Sequence, residues 1–150
     1  MNAIKFYRIA NFCYLKKIPI IPRFVKNLIF LLFNSVVPYT CKIGKESKFA
    51  YGGIGVVLHS KSIIGDRVII GQGVTIGKKL ERGQAPTIGD RVYIGTGSKI
   101  LGDVKVGNNV IIGANSVVTK DVPNNVIVAG APATIIRKVE QDIYEILGEY

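Results

Sequence analysis

One imidazole, His59, is the natural side chain for moving a proton near neutral pH in this chain of 150 residues. Lys78, Lys79 and Arg82 stand together in a polar stretch, and Lys120 follows Thr119. The segment Ala50-Tyr51-Gly52-Gly53-Ile54-Gly55 adds a phenol and a backbone that a ligand can approach closely. A base beside cations suits proton transfer next to an anionic ligand. Zinc chemistry of the three-histidine kind is excluded by the single His, and Cys13 and Cys41 match no metal or redox spacing. Asp66, Asp90 and Asp103 read as turn formers, and no metal site is expected.

These residues lie far apart in sequence, and a period of six brings them together. Leu58, Ile64, Ile70 and Ile76 recur at that spacing, then Ile88, Ile94, Ile100, Val106, Ile112 and Val118. With about a third of the chain Ile, Leu or Val, ten such matches arise by chance on the order of once in 10^5. Gly follows the aliphatic residue at 65, 71, 77, 89, 95, 107 and 113. Each unit reads as a short strand with two side chains inward, then a corner. Three units make a triangular coil, and stacked coils make an all-β solenoid, a parallel β-helix of hexapeptide repeats.

The repeat assigns faces. Leu58, Ile76, Ile100 and Val118 share face a; Ile64, Ile88 and Val106 share face b; Ile70, Ile94 and Ile112 share face c. His59 then falls at the corner between a and b. The loop that interrupts the repeat between Ile76 and Ile88 leaves from that corner one coil later, about 5 Å along the axis. Thr119 and Lys120 occupy the same corner further on. Face c points Ile69, Tyr93 and Ile111 outward, an apolar stripe expected to meet another subunit and close a homotrimer.

The expected organisation is a basic helical cap over 1–42, the solenoid over 43–137 with a protruding loop at 77–87, and a solvated helix in 138–150. Helical spacing covers 3–17 and 24–34, with Pro19 and Pro22 between them. The apolar run Leu28 to Val37 is too short to cross a bilayer and carries no signal-peptide cleavage pattern. Eight of the 20 basic residues lie in the first 45, which hold no acid; the rest of the chain has 12 basic and 10 acidic residues. The near-neutral solenoid argues against nucleic acid. Two readings of the amino-terminal helices stand: they cap the open end of the solenoid, or they cap it and also touch an anionic membrane through residues 1–37. A cytoplasmic protein with free thiols is expected, in the second reading peripheral to the inner face of the membrane.

From Ile43 to Arg137 the chain resembles the hexapeptide-repeat acyltransferases, in their serine acetyltransferase branch. The strings that carry the likeness are IIGDRVIIGQGVTIG (63–77), PTIGDRVYIGTGSKILGDVKVGNNVIIGANSVVTKDVP (86–123) and AGAPATIIRK (129–138). The segment YGGIGVVLH (51–59) is similar to the O-acetyltransferases of surface-polysaccharide pathways. The resemblance implies a left-handed solenoid, a trimer with active sites between subunits, and acetyl-CoA as donor. By matched motif, Thr96 in IGTG and Ala114 in IGAN would border the CoA arm. Thr119, Lys120 and Arg137 would lie near its pantetheine and phosphates, and Lys78, Lys79 and Arg82 would add charge for a phosphate or an acidic acceptor.

The branch's two catalytic histidines would fall within Ala50–Gly55 and at Gln84-Ala85-Pro86, and neither place holds His here. The expected acceptor is therefore a hydroxyl of a sugar or surface-polysaccharide precursor, lipid-linked sugars included, with His59 as general base and Tyr51, Gly52 and Arg82 at the acceptor. L-serine is the alternative acceptor, and a non-catalytic trimeric scaffold is the third reading. Tyr51 is the second candidate for the base, against simple packing under the Gly bulge.

Overall fold

The computed structural model describes residues 1–79 and 83–148. Its core is a left-handed parallel β-helix built on three parallel sheets. Face a stacks Val57–Leu58, Thr75–Gly77, Lys99–Leu101 and Val117–Val118, in the register Leu58, Ile76, Ile100, Val118. Face b stacks Ile43, Ile64, Ile88 and Val106. Face c stacks Phe49, Ile70, Ile94, Ile112 and Val128. The face assignments read from the period of six hold at every aliphatic position. Each such residue meets its equivalent one coil away, so the column is dry: Ile70, Ile76, Ile94, Ile100 and Ile112 are all 0% exposed.

The corners are held by backbone geometry and short polar side chains. At the b/c corner, Lys45 N–H donates to the Asp66 carboxylate, Asp66 N–H to Asp90, Asp90 N–H to the Asn108 side chain, and Asn108 N–H to Asn124, at 2.6–2.8 Å. The aspartates are turn formers that also tie each coil to the next. A side chain at Gly65 would put its Cβ 2.3 Å from Asp90 Oδ1 and 2.6 Å from the Gly89 carbonyl oxygen, so only Gly fits under the stacked turn. Ser47 and Ser98 point inward and donate to the corner carbonyls of Gly65 and Gly113.

The solenoid starts earlier than the repeat reveals: Val36 already pairs in parallel with Val57 on face a. Two helices close that end. Helix α1 (Ala3–Leu15) is capped by Asn2, whose side chain accepts from Ile4 N–H, and α2 (Ile21–Phe33) begins with Pro22 in its first turn. Ala3, Tyr7, Ala10, Val25, Ile29 and Phe33 join the same buried cluster as Ile43 and Phe49. Tyr7 Oη donates to the Cys41 carbonyl at 2.6 Å, Asn2 Nδ2 to that of Phe49, and the Arg8 guanidinium to those of Ile43 and Gly44. Helix side chains thus satisfy carbonyls that the first coil has no previous coil to pair with.

The carboxyl-terminal end departs from expectation. Val126–Gly130 and Ala133–Lys138 form an antiparallel hairpin on face c, and the final helix, α3, is confined to Ile143–Leu147. That helix does not stand off in solvent. Ile143 is fully buried and packs with Val139 and Ile111, flanked by Tyr93 and Ile127. Asn109 bonds Gln141 O and Ile143 N–H, Tyr144 Oη donates to Arg67 O, and the Arg67 guanidinium lies 4.7 Å from the Tyr144 ring centroid. Of the stripe Ile69, Tyr93, Ile111 expected to meet a second subunit, Tyr93 and Ile111 are therefore covered by the chain's own tail; Ile69 is 1% and Ile111 9% exposed. A six-residue period shows which side chains point outward but not which non-repeating segment returns to cover them.

Candidate active site

The fold places His59, the start of the loop and Thr119 along the a/b ridge, the corner that the repeat assigns to them. His59 ends a face a strand, and its N–H donates to Ile76 O, one coil on, at 2.8 Å. Gly77, Leu101 and Thr119 continue the file in register. The loop leaves from Gly77; Lys78, Lys79, Gly83, Gln84, Gly102 and Thr119 help line a small cavity of about 190 Å³. The Lys79 stem lies across Gly102, whose φ of +100° and missing Cβ make room for it. Lys120 follows at the same corner. Arg82 lies outside the described residues.

His59 is half-buried, and its Nδ1 accepts from Lys61 N–H at 3.2 Å. In the neutral ring this puts the proton on Nε2. A lone pair on Nε2 requires the other tautomer, with the proton on Nδ1 and the Lys61 contact given up. Beside the ridge is an open hollow of about 450 Å³ lined by Thr40, Lys42, Ser60, Lys61, Ser62 and Ile63. Sequence reasoning passed over this hollow. Its signal was the face b register, which sets Lys42 against Ile63 once the three-residue insertion before Leu58 is counted.

The other expected site residues lie elsewhere on the prism. Thr96 and Ala114 sit at the c/a corner, across face a from His59. A Cβ on Gly71 would come within 2.7 Å of Thr96 N, and one on Gly95 within 2.6 Å of Ala114 N. Glycine in the preceding coil therefore lets these two turns stack closely. Tyr51 and Gly52 are at the c/a corner too, in a 3₁₀ turn over Ala50–Gly53 with φ of 51° and 77°. Tyr51 is 66% exposed, so it does not pack beneath the bulge, and it sits on the ridge opposite His59. Arg137 is on the outermost strand of face c, opposite Ile127. One chain thus splits the expected set between two ridges that flank face a, with Arg137 apart from both on face c.

Both cysteines are free and buried, and burial pushes the Cys41 thiol up to about 12, which removes it as a nucleophile. Among the described residues no group of three or more His, Cys, Asp or Glu side chains could hold a metal. No described helix is long and apolar enough to cross a membrane.

Residues 85–120 match the family described as bacterial transferase hexapeptide (six repeats). The chain is 38% identical over 137 residues to a serine acetyltransferase of Synechococcus elongatus, covering 90% of this chain and 56% of that protein. It is 36% identical over 149 residues to a serine acetyltransferase of Bacillus pumilus, covering 95% of this chain and 68% of that one. Among solved structures, serine acetyltransferase from Brucella abortus in complex with coenzyme A superposes with a TM-score of 0.85 at 33% identity, over 91% of this chain and 55% of the other. The chain therefore spans little more than half the length of the first and last of these. The likeness is to serine acetyltransferases, and it overturns the expectation, drawn from the two absent histidines and the YGGIGVVLH segment, of a sugar-directed enzyme closest to the polysaccharide O-acetyltransferases.

Proposed function

The chain belongs to the serine acetyltransferase family of hexapeptide-repeat proteins, and from that premise we propose that it moves an acetyl group from acetyl-CoA to the hydroxyl of L-serine. The observation that carries this reading is the 36% identity to the Bacillus serine acetyltransferase over 149 aligned positions, which take in 95% of the chain. In the proposed reaction the serine oxygen attacks the thioester carbon as His59 takes the hydroxyl proton. The C–S bond then breaks, and the proton passes to the departing CoA thiolate. The hollow beside His59 offers Lys42 and Lys61 to the serine carboxylate. The backbone amides of Thr96 and Ala114 would suit the carbonyl groups of the CoA arm, and Lys78, Lys79 and Lys120 its phosphates.

The split between two ridges calls for a second chain. In a three-fold assembly with face a of each chain turned to the axis, the a/b ridge of one protomer meets the c/a ridge of the next. That brings His59 and the lysines of one chain opposite Thr96 and Ala114 of its neighbour. The outward residues of face a support it: Val57 is 39% exposed, Thr75 and Val117 are partly so, and Lys99 folds back to donate to Gly73 O at 2.7 Å. Incubation with acetyl-CoA and L-serine, followed by thiol release and mass spectrometry, should give serine-dependent O-acetylserine. No serine-dependent thiol release from protein that acetyl-CoA stabilises against heat would reject serine as acceptor. No such stabilisation would reject the donor.

A further inference from the structure

The amino-terminal hairpin carries more than a cap needs. Its inner face is spent on the solenoid, through Tyr7, Ile29, Phe33 and their neighbours. Its outer face is apolar as well: Phe12 is 58%, Leu15 69%, Ile20 79%, Phe24 64% and Leu31 77% exposed. Exposed Lys16, Lys17, Arg23 and Lys26 are interleaved with these residues, and no acid occurs among the first 45 residues. At the hairpin tip an open groove of about 710 Å³ runs between Tyr14 and Tyr39 on one side and Ile18 to Phe24 on the other, with Lys17 and Arg23 at its rim.

Three occupants have to be weighed. A second copy would pack one acid-free cationic face against another, and like charges oppose that. Nucleic acid would satisfy the lysines and leave the aliphatic side chains in water. An anionic bilayer surface satisfies both kinds of group at once, with apolar side chains entering the headgroup–acyl boundary and lysines reaching phosphate. Helices of 13 residues are too short to span a bilayer but long enough to lie in that boundary.

We propose that the α1–α2 hairpin is a membrane-docking surface for anionic phospholipid, with Phe12, Leu15, Ile20, Phe24 and Leu31 inserted and Lys16, Lys17, Arg23 and Lys26 at the phosphates. Because the hairpin closes one end of the solenoid, docking there leaves the ridges along its length open to small substrates. This proposal stands apart from the choice of acceptor.

Co-sedimentation of the full chain with phosphatidylcholine vesicles, and with vesicles that also contain phosphatidylserine, tests it. The protein should pellet with the mixed vesicles, remain in solution with phosphatidylcholine alone, and release as salt rises. Each cation near an anionic leaflet is worth about fivefold in partitioning, so K17E/R23E should bind at least about 25-fold less well. F24S/L31S, at two exposed positions, should also lose binding while keeping the far-ultraviolet circular dichroism of the parent. Absence from the mixed-vesicle pellet would overturn the proposal, as would equal binding to both vesicles. Concentration-dependent self-association that F24S/L31S abolishes, without vesicle binding, would assign the surface to a second copy instead.

Discussion

Asparagine in place of His59 separates the catalytic role of that residue from its structural one. In the structure the ring makes one side-chain hydrogen bond among the described residues, from Lys61 N–H two residues on, and is half-buried. An Asn side chain can accept that same bond in an Asx turn, so H59N preserves the local geometry and removes the base. Even with the bond lost, stability should fall by no more than about 1 kcal/mol. At this chain length that shifts the melting temperature by about 2–4 °C. If His59 takes the acceptor proton, kcat/KM should drop by about 10²–10⁴, equivalent to about 2.7–5.4 kcal/mol of transition-state stabilisation. The two scales do not overlap. The assay is thiol release at fixed acetyl-CoA with varied L-serine, beside a thermal melt with and without acetyl-CoA. A variant that melts like the parent, is still stabilised by acetyl-CoA and keeps kcat/KM within about threefold would refute the assignment.

Other outcomes follow from the same geometry. Lys78→Ala with Lys79→Ala should raise the KM for acetyl-CoA at least tenfold, roughly 1.4 kcal/mol, with the melting temperature unchanged, as steady-state kinetics would show. Thr75→Arg on face a should turn a trimer into monomers by analytical ultracentrifugation and abolish activity together with it; an active monomer would contradict the paired-ridge site. Gly65→Ala should cost about 1–3 kcal/mol in urea unfolding, because the new Cβ meets Asp90 Oδ1 and backbone beyond it. Burial, and after it Cys41, raises the Tyr7 phenol, and burial also raises that of Tyr144. Both stay neutral in the fold at pH values where an unfolded tyrosine ionises. Their stabilisation is complete below the ordinary value of 10.0 and is lost as pH rises toward the folded values. The melting temperature should therefore fall above that pH, less steeply in Tyr7→Phe. That variant starts about 1–3 kcal/mol lower because Cys41 O loses its donor.

Much of the site was legible because it rides on the repeat. Leu58 and Ile76 share a face, so His59 and the loop after Gly77 had to leave from one corner; no contact between distant segments was needed to deduce it. The hollow beside His59 was missed because it straddles Thr40 to Ile63, where the three-residue insertion breaks the count. Tyr51 was misjudged for a related reason. The Gly-rich turn that holds it has positive φ at Tyr51 itself, which swings the ring outward rather than beneath the bulge. The expected sugar acceptor was read from the two absent histidines and a local string, YGGIGVVLH, whereas the likeness of the whole chain points to serine acetyltransferases.

What the order of residues determined by itself is the rod: aliphatic side chains every six positions, glycine where a Cβ would strike the next turn, and His59 on one of the three ridges. Each coil repeats the contacts of the one before, so a local rule propagates along the axis without further information. What only the tertiary structure decided is how the rod is closed and covered. The hairpin seals one end through Tyr7, Arg8 and Asn2, and the tail lays Ile143 over the stripe that had looked like a subunit interface. Those segments do not share the period, and their positions follow from whichever unpaired carbonyls and apolar surface the rod leaves open.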